Sequence, residues 1–316
     1  MILQSGNPFT TTITLQEASR RAAELSRLVG CGHHSDSLDM VDCLRQINPQ
    51  VLINQEQSVS NYSLNLEPFP PVVDGQFLIE DPELLIEHNV FKKCPLLIGT
   101  NSNEGLAEMF EYLPELSIQS NLFELSLDQL NSAMARMFKN FSPALVNLVK
   151  FQYGMFDDSE RNATKARRFF GLQSALADKE VVCNVDKLAK TFANDNNKVR
   201  EGGVYQYKPT DTFNNTTQVY RYFFNPIGDD IFASELSYVL GEPLQGLGRN
   251  QGGAESELSK RMIKLWSDFS RSDSPSPEEE EWPVFESPEW EYLKLEDERL
   301  ATGRDMRGRV CEFWEK

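Results

Sequence analysis

The sequence predicts an α/β protein in which helices alternate with buried strands. Residues 95–100 have the sequence PLLIGT, an apolar run without alternation that is typical of a parallel strand covered on both faces. Residues 219–224 are aromatic and β-branched and indicate a second strand. Residues 255–271 carry apolar side chains at helical spacing, which indicates a long amphipathic helix. Helices and buried strands in one chain favour the α/β class.

Two helices are predicted near the start of the chain. Thr14 and Glu17 form a capping box, in which the two side chains accept hydrogen bonds from backbone amides that the helix leaves unpaired. Apolar residues continue from there at helical spacing to Gly30. A second, shorter helix is predicted over residues 36–47, where it would stop before an Asn-Pro pair. Residues 48–80 are rich in Pro and Asn and are predicted to form an extended loop.

The rest of the chain gives three further predictions. Residues 124–200 are helical by period, with Asn- and Asp-rich breaks near 157 and 194. Residues 204–207 indicate another strand, because aromatic residues and valine dominate them. Residues 272–281 are rich in Ser, Pro and Glu and are predicted to form an exposed acidic loop.

Composition excludes several classes of function. The 316 residues include 31 Lys and Arg against 48 Asp and Glu, a net charge of −17, so a nucleic-acid partner is not expected. The longest apolar runs are far shorter than the roughly 20 residues that a bilayer-spanning helix needs. With three histidines and no Cys-x-x-Cys pair, neither a zinc site nor a cofactor is expected.

Signals for the cellular compartment conflict. The first residues lack the basic, apolar and small-residue regions of a secretory signal peptide. The chain nevertheless contains glycosylation sequons, which matter only on the secretory route. The sequons begin at Asn61, Asn140, Asn162, Asn214 and Asn215. Five cysteines allow two disulfides and one free thiol.

Five short strings of residues, taken together in their order along the chain, are specific enough to indicate a family. They are ILQSG at 2–6, FPPVVDG at 69–75, FKKCPLLIGTNSNEG at 91–105, SYVLG at 237–241 and CEFW at 311–314. In order and rough spacing they resemble the C-terminal half to two thirds of the cholinesterase and type-B carboxylesterase family, which includes the non-catalytic neuroligins. The resemblance runs nearly end to end and implies one partial carboxylesterase type-B domain over residues 1–316, without its N-terminal part.

The resemblance implies an α/β-hydrolase fold, with a mostly parallel, twisted sheet between helices. It places a short-loop disulfide at Cys31 and Cys43 and a long-range one at Cys183 and Cys311, which leaves Cys94 free. It also implies an extracellular or cell-surface glycoprotein, with either a protein partner or a family-type homodimer. This favours the sequons over the missing signal peptide.

The resemblance places the acid of a catalytic triad at Glu104, directly after the predicted strand at 95–100. A serine hydrolase also needs a serine on a Gly-x-Ser-x-Gly elbow and a histidine that accepts the serine's proton. No Gly-x-Ser-x-Gly occurs in the 316 residues. The family's histidine position falls on Phe232 when counted back without a gap, or on Ile227 in a second alignment. Neither side chain can accept a proton.

The histidines that the chain does contain precede Glu104. They are His33, His34 and His88, and all three are predicted to be surface residues. Two explanations remain open. Either the chain is a non-catalytic family member that binds a partner protein, or it is an incomplete or mis-spliced product of an active carboxylic ester hydrolase. Under both, the chain as given is expected to be inactive, with Glu104 a relic of the triad.

Overall fold

The structure is a computed structural model that describes residues 1–9, 12–33, 36–60, 68–113, 116, 123–157, 161–194, 217–225, 234–245, 253–276, 282–296 and 300–315. The chain divides into two compact units. The larger one contains Met1–Asn7, Val90–Met134 and Asn140–Lys316, and the smaller one contains Pro8–Asn89 and Ala135–Lys139.

Seven strands are described. They are β1 (Ile2–Gln4), β2 (Ile13–Thr14), β3 (Val72–Val73), β4 (Leu96–Asn101), β5 (Val219–Phe224), β6 (Glu291–Leu295) and β7 (Ala301–Arg304). The larger unit has a five-stranded sheet in the order β1-β4-β5-β6-β7. The first four strands of this order are parallel, and β7 runs antiparallel to β6. The α/β class and the mostly parallel sheet are therefore confirmed.

Helices occur in both units. They are α1 (Leu15–Leu28), α2 (Ser37–Gln46), α3 (Pro49–Ser60), α4 (Pro82–Glu87), α5 (Leu106–Tyr112), α6 (Leu127–Met137), α7 (Pro143–Gln152), α8 (Asn162–Ala177), α9 (Cys183–Asn194), α10 (Glu235–Val239), α11 (Gly253–Ser272) and α12 (Gly308–Trp314). A π-helix, Asp178–Val182, joins α8 to α9, and a 3₁₀-helix, Glu242–Gln245, follows α10. No described helix is long and apolar enough to cross a membrane.

Apolar side chains cover both faces of the five-stranded sheet. On one face, Tyr222 and Phe224 of β5 belong to a core cluster with Met262 and Trp266 of α11. On the other face, Phe223 packs against a smaller cluster that includes Tyr292 and Met306. Side chains alternate between the two faces of a strand, so one strand supplies both clusters. Burial on both faces explains why the sequence of β4 and β5 does not alternate.

The smaller unit corrects one prediction. Residues 48–80 were expected to form a loop, but they contain α3 and β3. The side chain of Asn48 accepts a hydrogen bond from the backbone N–H of Gln50 (2.9 Å), and Pro49 is the first residue of α3. The Asn-Pro pair that ends the preceding helix therefore also starts the next one, since proline needs no partner for an N–H at a first helical position.

Other sequence predictions agree with the structure where it describes them. The Thr14 hydroxyl accepts a hydrogen bond from the backbone N–H of Glu17 (3.2 Å), as a helix-capping threonine does. The predicted helices at 36–47 and 255–271 correspond to α2 and α11, and the predicted helical region from 124 contains α6 to α9. The predicted strand at 204–207 and the four glutamates of the acidic loop lie outside the described residues.

Two disulfides stabilise the units. Cys31 is bonded to Cys43, with 5.9 Å between the α-carbons, and Cys183 is bonded to Cys311, with 5.1 Å. Cys94 is a free, half-buried thiol. These are the pairs that the resemblance implies, and both α-carbon distances fall within the range of unstrained bridges.

Candidate functional site

Glu104 lies at the carboxyl end of β4, an inner strand of the parallel sheet. The strand ends at Asn101, and a turn of three residues carries the chain to Gly105, which precedes α5. Gly105 has a φ of +81°, and a Cβ there would approach the backbone N of Ala177 to 2.6 Å. Only glycine fits this turn without strain, because it combines a left-handed conformation with a close backbone approach. The turn thus fixes where the Glu104 side chain begins.

Hydrogen bonds converge on one carboxylate oxygen of Glu104. Its Oε1 accepts from the backbone N–H of Asn101 (2.8 Å), from the Asn101 side-chain amide (3.3 Å) and from the Ser5 hydroxyl. The Glu104 carbonyl oxygen accepts from the side-chain amide of Gln173 on α8. Side chain and backbone are both held, so the carboxylate has a defined orientation.

Ser5 comes directly after β1, the strand next to β4. Its backbone N–H donates to the carbonyl of Gly99 (2.9 Å), which continues the β1–β4 pairing by one residue. Its φ of 56° is left-handed, an uncommon conformation for serine. With this backbone conformation, the Ser5 hydroxyl donates its hydrogen bond to Glu104. Sequence reasoning missed this contact, because Ser5 and Glu104 are 99 residues apart.

A second carboxylate, Glu235 at the start of α10, lies in the same part of the larger unit and is 2% exposed. Its Oε1 accepts from the side-chain amide of Gln4 (3.1 Å), and its Oε2 accepts from the Ser234 hydroxyl (3.2 Å). The other end of the Gln4 amide accepts from the indole N–H of Trp266 (3.3 Å). Gln4 and Ser5, at the end of β1, therefore each hold one of two acidic side chains.

Burial raises the pKa of Glu104 above its ordinary value of 4.5. Hydrogen bonds from Asn101 and Ser5 oppose that shift, and the negative charges of Glu235 and Glu108 add to it. Burial also raises the pKa of Tyr222 well above its ordinary value, with further contributions from Glu235 and Glu104. A buried, hydrogen-bonded carboxyl group of raised pKa is a candidate functional group.

The remaining predicted site residues fall into two groups. Phe232 and Ile227, the two candidate positions for the missing histidine, lie outside the described residues, as do His34, Asn61, Asn214 and Asn215. His33 and His88 are exposed, as predicted. Asn140 and Asn162 are also exposed, and their glycosylation stays a prediction. Within the described ranges, no group of three His, Cys, Asp or Glu side chains could hold a metal ion.

A mostly parallel sheet between helices, with an acidic residue in the turn after an inner strand, is the arrangement of an α/β-hydrolase. A model of the carboxylesterase family matches residues 1–314, so the chain belongs to the carboxylesterase family.

Curated relatives show the same similarity over the whole chain. The acetylcholinesterase of Bungarus fasciatus is 30% identical over 328 residues, which covers 99% of this chain and 50% of that protein. The acetylcholinesterases of Electrophorus electricus and Danio rerio are each 29% identical, covering 100% of this chain and 53% of each relative. The chain thus spans about half the length of these relatives.

Proposed function

We propose that this chain is a non-catalytic carboxylesterase-family domain whose function is to bind a partner protein, and that residues 1–316 form one partial domain of that family. One observation carries the proposal: no histidine follows Glu104, the candidate triad acid, in the 316 residues, although hydrogen bonds from Ser5 and Asn101 hold its carboxylate in place. Without an imidazole between the acid and a serine, no general base activates the nucleophile. Glu104 is then a relic of the triad.

Binding, in this proposal, uses an exposed apolar surface of the larger unit. Leu145, Leu148 and Phe151 recur every three residues along α7, so they lie along one side of that helix. All three are exposed, and Phe151 is 71% exposed. We call this set the α7 stripe. Contiguous exposed apolar side chains are characteristic of protein interaction sites, and the occupant is either a protein partner or a second copy of the chain.

The proposal also assigns the chain to the cell exterior, as a glycoprotein. The two disulfides support this, since such bonds persist in oxidising compartments and are rare in the cytosol of most organisms. The exposed sequon residues Asn140 and Asn162 are accessible to glycans.

A second candidate function is that of a part of an active carboxylic ester hydrolase. The hydrogen bonds of Ser5 and Asn101 to Glu104 favour it, because a triad acid needs a fixed orientation and these bonds hold the carboxylate in one place. The coverage of about half of each relative is also consistent with a piece of a longer enzyme.

An esterase assay tests the catalytic part of the proposal. Purified protein is assayed for hydrolysis of p-nitrophenyl butyrate and for labelling by a fluorophosphonate probe, which captures nucleophilic serines. We expect neither, and we expect the Phe232→His and Ile227→His variants to behave in the same way, because no activated serine is present. Saturable turnover or stoichiometric labelling of the unmodified chain would contradict the proposal and favour the second candidate.

Sedimentation tests the binding surface. If a second copy occupies the α7 stripe, the chain sediments as a dimer and Phe151→Asp shifts it to the monomer. Gln152→Asp introduces the same charge at the next, also exposed, position of α7 and serves as the control. A dimer that both variants leave intact would show that the α7 stripe is not the interface between copies. If the chain is a monomer at all concentrations, a second copy does not occupy the α7 stripe, and the proposed occupant is the partner protein.

A further inference from the structure

Phe77, in the smaller unit, presents almost its whole side chain to solvent. Its exposed fraction is 96%, the highest among the described large apolar side chains. Ile79, two residues further along the chain, is 47% exposed. An aromatic ring in water forgoes the free energy that burial would provide, and aromatic side chains are enriched where proteins meet. We call residues 74–79 the Phe77 loop.

Hydrogen bonds hold the Phe77 loop in one conformation. One carboxylate oxygen of Asp74 accepts from three successive backbone N–H groups, those of Gln76 (2.9 Å), Phe77 (2.9 Å) and Leu78 (3.0 Å). The backbone N–H of Gly75 donates to the carbonyl of Leu78 (3.1 Å). The φ of Gly75 is +75°, a left-handed conformation that glycine adopts without strain. A ring that is held in place before binding loses little conformational freedom when it is bound.

The segment that carries the loop is negatively charged. Residues 69–91 contain no Lys or Arg and five acidic residues, which are Asp74, Glu80, Asp81, Glu83 and Glu87. Backbone hydrogen bonds lower the pKa of Asp74, so its carboxylate keeps its charge. Arg21 donates to the carbonyl of Pro68, just before this segment, but it is 3% exposed and paired with Glu17 (2.8 Å). Acidic side chains therefore flank the exposed ring along the chain.

An exposed ring on an acidic segment selects among the possible occupants. An anionic membrane surface would accept the ring but would repel the segment. A second copy in a symmetric dimer would bring an identical acidic segment against this one, and like charges repel. A protein pocket with an apolar floor and a rim of Lys or Arg complements both the ring and the charge.

We propose that the Phe77 loop docks a basic partner protein, which takes the Phe77 ring into an apolar pocket rimmed by Lys or Arg side chains. The inference goes beyond the proposed function, since it assigns a second surface, in the smaller unit, and the chemistry of what binds there. It does not depend on the α7 stripe or on the absence of esterase activity. No covalent bond is made or broken in it.

A cationic cyclodextrin is the probe, because it reproduces such a pocket in a small molecule. The apolar cavity of β-cyclodextrin admits a phenyl ring, and heptakis(6-amino-6-deoxy)-β-cyclodextrin adds ammonium groups around its rim. The full chain, with 4-fluorophenylalanine in place of phenylalanine, is titrated and followed by ¹⁹F NMR. The Phe77 signal is the one that disappears in Phe77→Ala. We expect a saturable shift of this signal, with a Kd about tenfold or more below that for neutral β-cyclodextrin.

An anionic probe and added salt test the charge of the rim. Carboxymethyl-β-cyclodextrin keeps the cavity but carries carboxylates, so it should bind Phe77 about tenfold more weakly than the neutral compound. About 1 M NaCl should remove most of the difference among the three compounds, because it shortens the screening length to about 3 Å. Equal affinities of the three compounds at low salt, or no shift of Phe77 with any of them, would overturn the proposal.

A second exposed ring and a charge variant test the place. Phe151, 71% exposed in the larger unit and preceded by Lys150, is the internal control. Its signal should shift with neutral β-cyclodextrin without gaining from the ammonium groups. Glu80→Gln combined with Glu83→Gln should reduce the cationic preference at Phe77 about threefold or more and leave the affinity for neutral β-cyclodextrin unchanged. An equal gain at Phe151, or an unchanged preference in the double variant, would overturn the assignment of a basic partner.

The other two occupants are tested directly. Vesicles of phosphatidylcholine and phosphatidylserine should leave the Phe77 signal unchanged, and Phe77→Ala should not alter the sedimentation of the chain. Gln76→Ala, at the neighbouring exposed position, is the control variant. A Phe77 signal that vesicles broaden would overturn the proposal in favour of a membrane. A dimer that Phe77→Ala dissociates and Gln76→Ala leaves intact would overturn it in favour of a second copy.

Discussion

Arg221 on β5 and Asp186 on α9 form an ion pair in which both side chains are buried, at 0% and 1% exposure. The Arg221 guanidinium also lies 5.2 Å from the centre of the Phe285 ring. The backbone carbonyl of Arg221 accepts a hydrogen bond from the indole N–H of Trp282 (3.1 Å). Lys190, one turn further along α9, reaches the second carboxylate oxygen at 2.9 Å. A charge on an inner strand is therefore balanced from the helix that packs over it.

Removing one member of the buried pair should be costly. We expect Asp186→Leu to lower the free energy of unfolding by about 3–5 kcal/mol, since it leaves the buried Arg221 charge uncompensated. Arg221→Met should cost less, because Lys190 still pairs with Asp186. The double variant should recover most of that loss. Urea unfolding of the single and double variants measures both effects.

An exposed pair is the control for this experiment. Arg45 and Asp42 on α2 lie 3.0 Å apart, with side chains 74% and 66% exposed. Arg45→Met should change the free energy of unfolding by at most about 1 kcal/mol. If both arginine variants had equally small effects, burial would not be what makes the Arg221 pair important.

Glu104 should make stability depend on pH. Its pKa is higher in the folded protein than its ordinary 4.5, so the folded state keeps the proton to higher pH than the unfolded chain does. The free energy of unfolding therefore decreases as pH rises from about 4.5 through the raised pKa. Glu104→Gln should remove this decrease, and thermal unfolding midpoints from pH 4 to pH 8 would show the variant gaining on the unmodified protein as pH rises.

Glu17 should make stability depend on pH in the opposite direction. Hydrogen bonds from Arg20 and Arg21 lower the pKa of Glu17 from 4.5 to about 2. The stabilisation is present above pH 4.5 and is lost as pH falls through about 2. Glu17→Gln should thus be slightly destabilising near neutral pH, with a difference that disappears in acid. If the stability difference from the unmodified protein changed with pH in the same direction for Glu104→Gln and Glu17→Gln, the assigned directions of the two pKa shifts would be contradicted.

Gly99 should not tolerate a side chain. It lies on β4 opposite Tyr222, and a Cβ at this position would be 2.3 Å from the Tyr222 ring. We expect Gly99→Ala to cost about 2 kcal/mol or more, because the ring is fully buried and has nowhere to move. Gly253→Ala is the control, since an added Cβ there meets nothing within 4 Å at the start of α11. It should be neutral or stabilising by up to about 1 kcal/mol in urea unfolding.

The two disulfides should contribute unequally. Cys31–Cys43 closes a separation of 12 residues and Cys183–Cys311 one of 128. In the chain-entropy description the first bridge stabilises by about 3 kcal/mol and the second by about 5 kcal/mol. Paired Cys→Ser variants, compared by urea unfolding without reductant, measure the difference. A larger loss for the short bridge would contradict the entropic account.

Long, regular elements could be predicted from the sequence, and local ambiguities could not. Residues 255–271 keep an apolar face for several turns, and residues 95–98 form an unalternated apolar run, so each pattern predicts one kind of element. An Asn-Pro pair predicts two different structures, since proline both ends the helix before it and can begin the helix after it. The choice at Asn48 depends on the packing of α3 against α1, which no local pattern contains.

The residues of the candidate site also differ in whether the sequence alone could predict them. Glu104 could be placed from the string around it, because the turn after a buried strand is a local feature. Gln4 and Ser5 could not, since β1 has three residues and no periodicity, and its role arises only when it pairs with β4. The π-helix after α8 is likewise invisible to a helical period, because one wide turn hardly changes the spacing of apolar residues.

The Cys183–Cys311 bridge also determines what a protease would leave behind. It joins the first residue of α9 to α12 and encloses β5, β6 and β7 within one covalent ring. A single cut anywhere between residues 184 and 310 opens this ring without releasing a fragment. The nicked protein would migrate as one species on a gel without reductant and as two with it, so damage to this part of the chain stays hidden until the thiols are reduced.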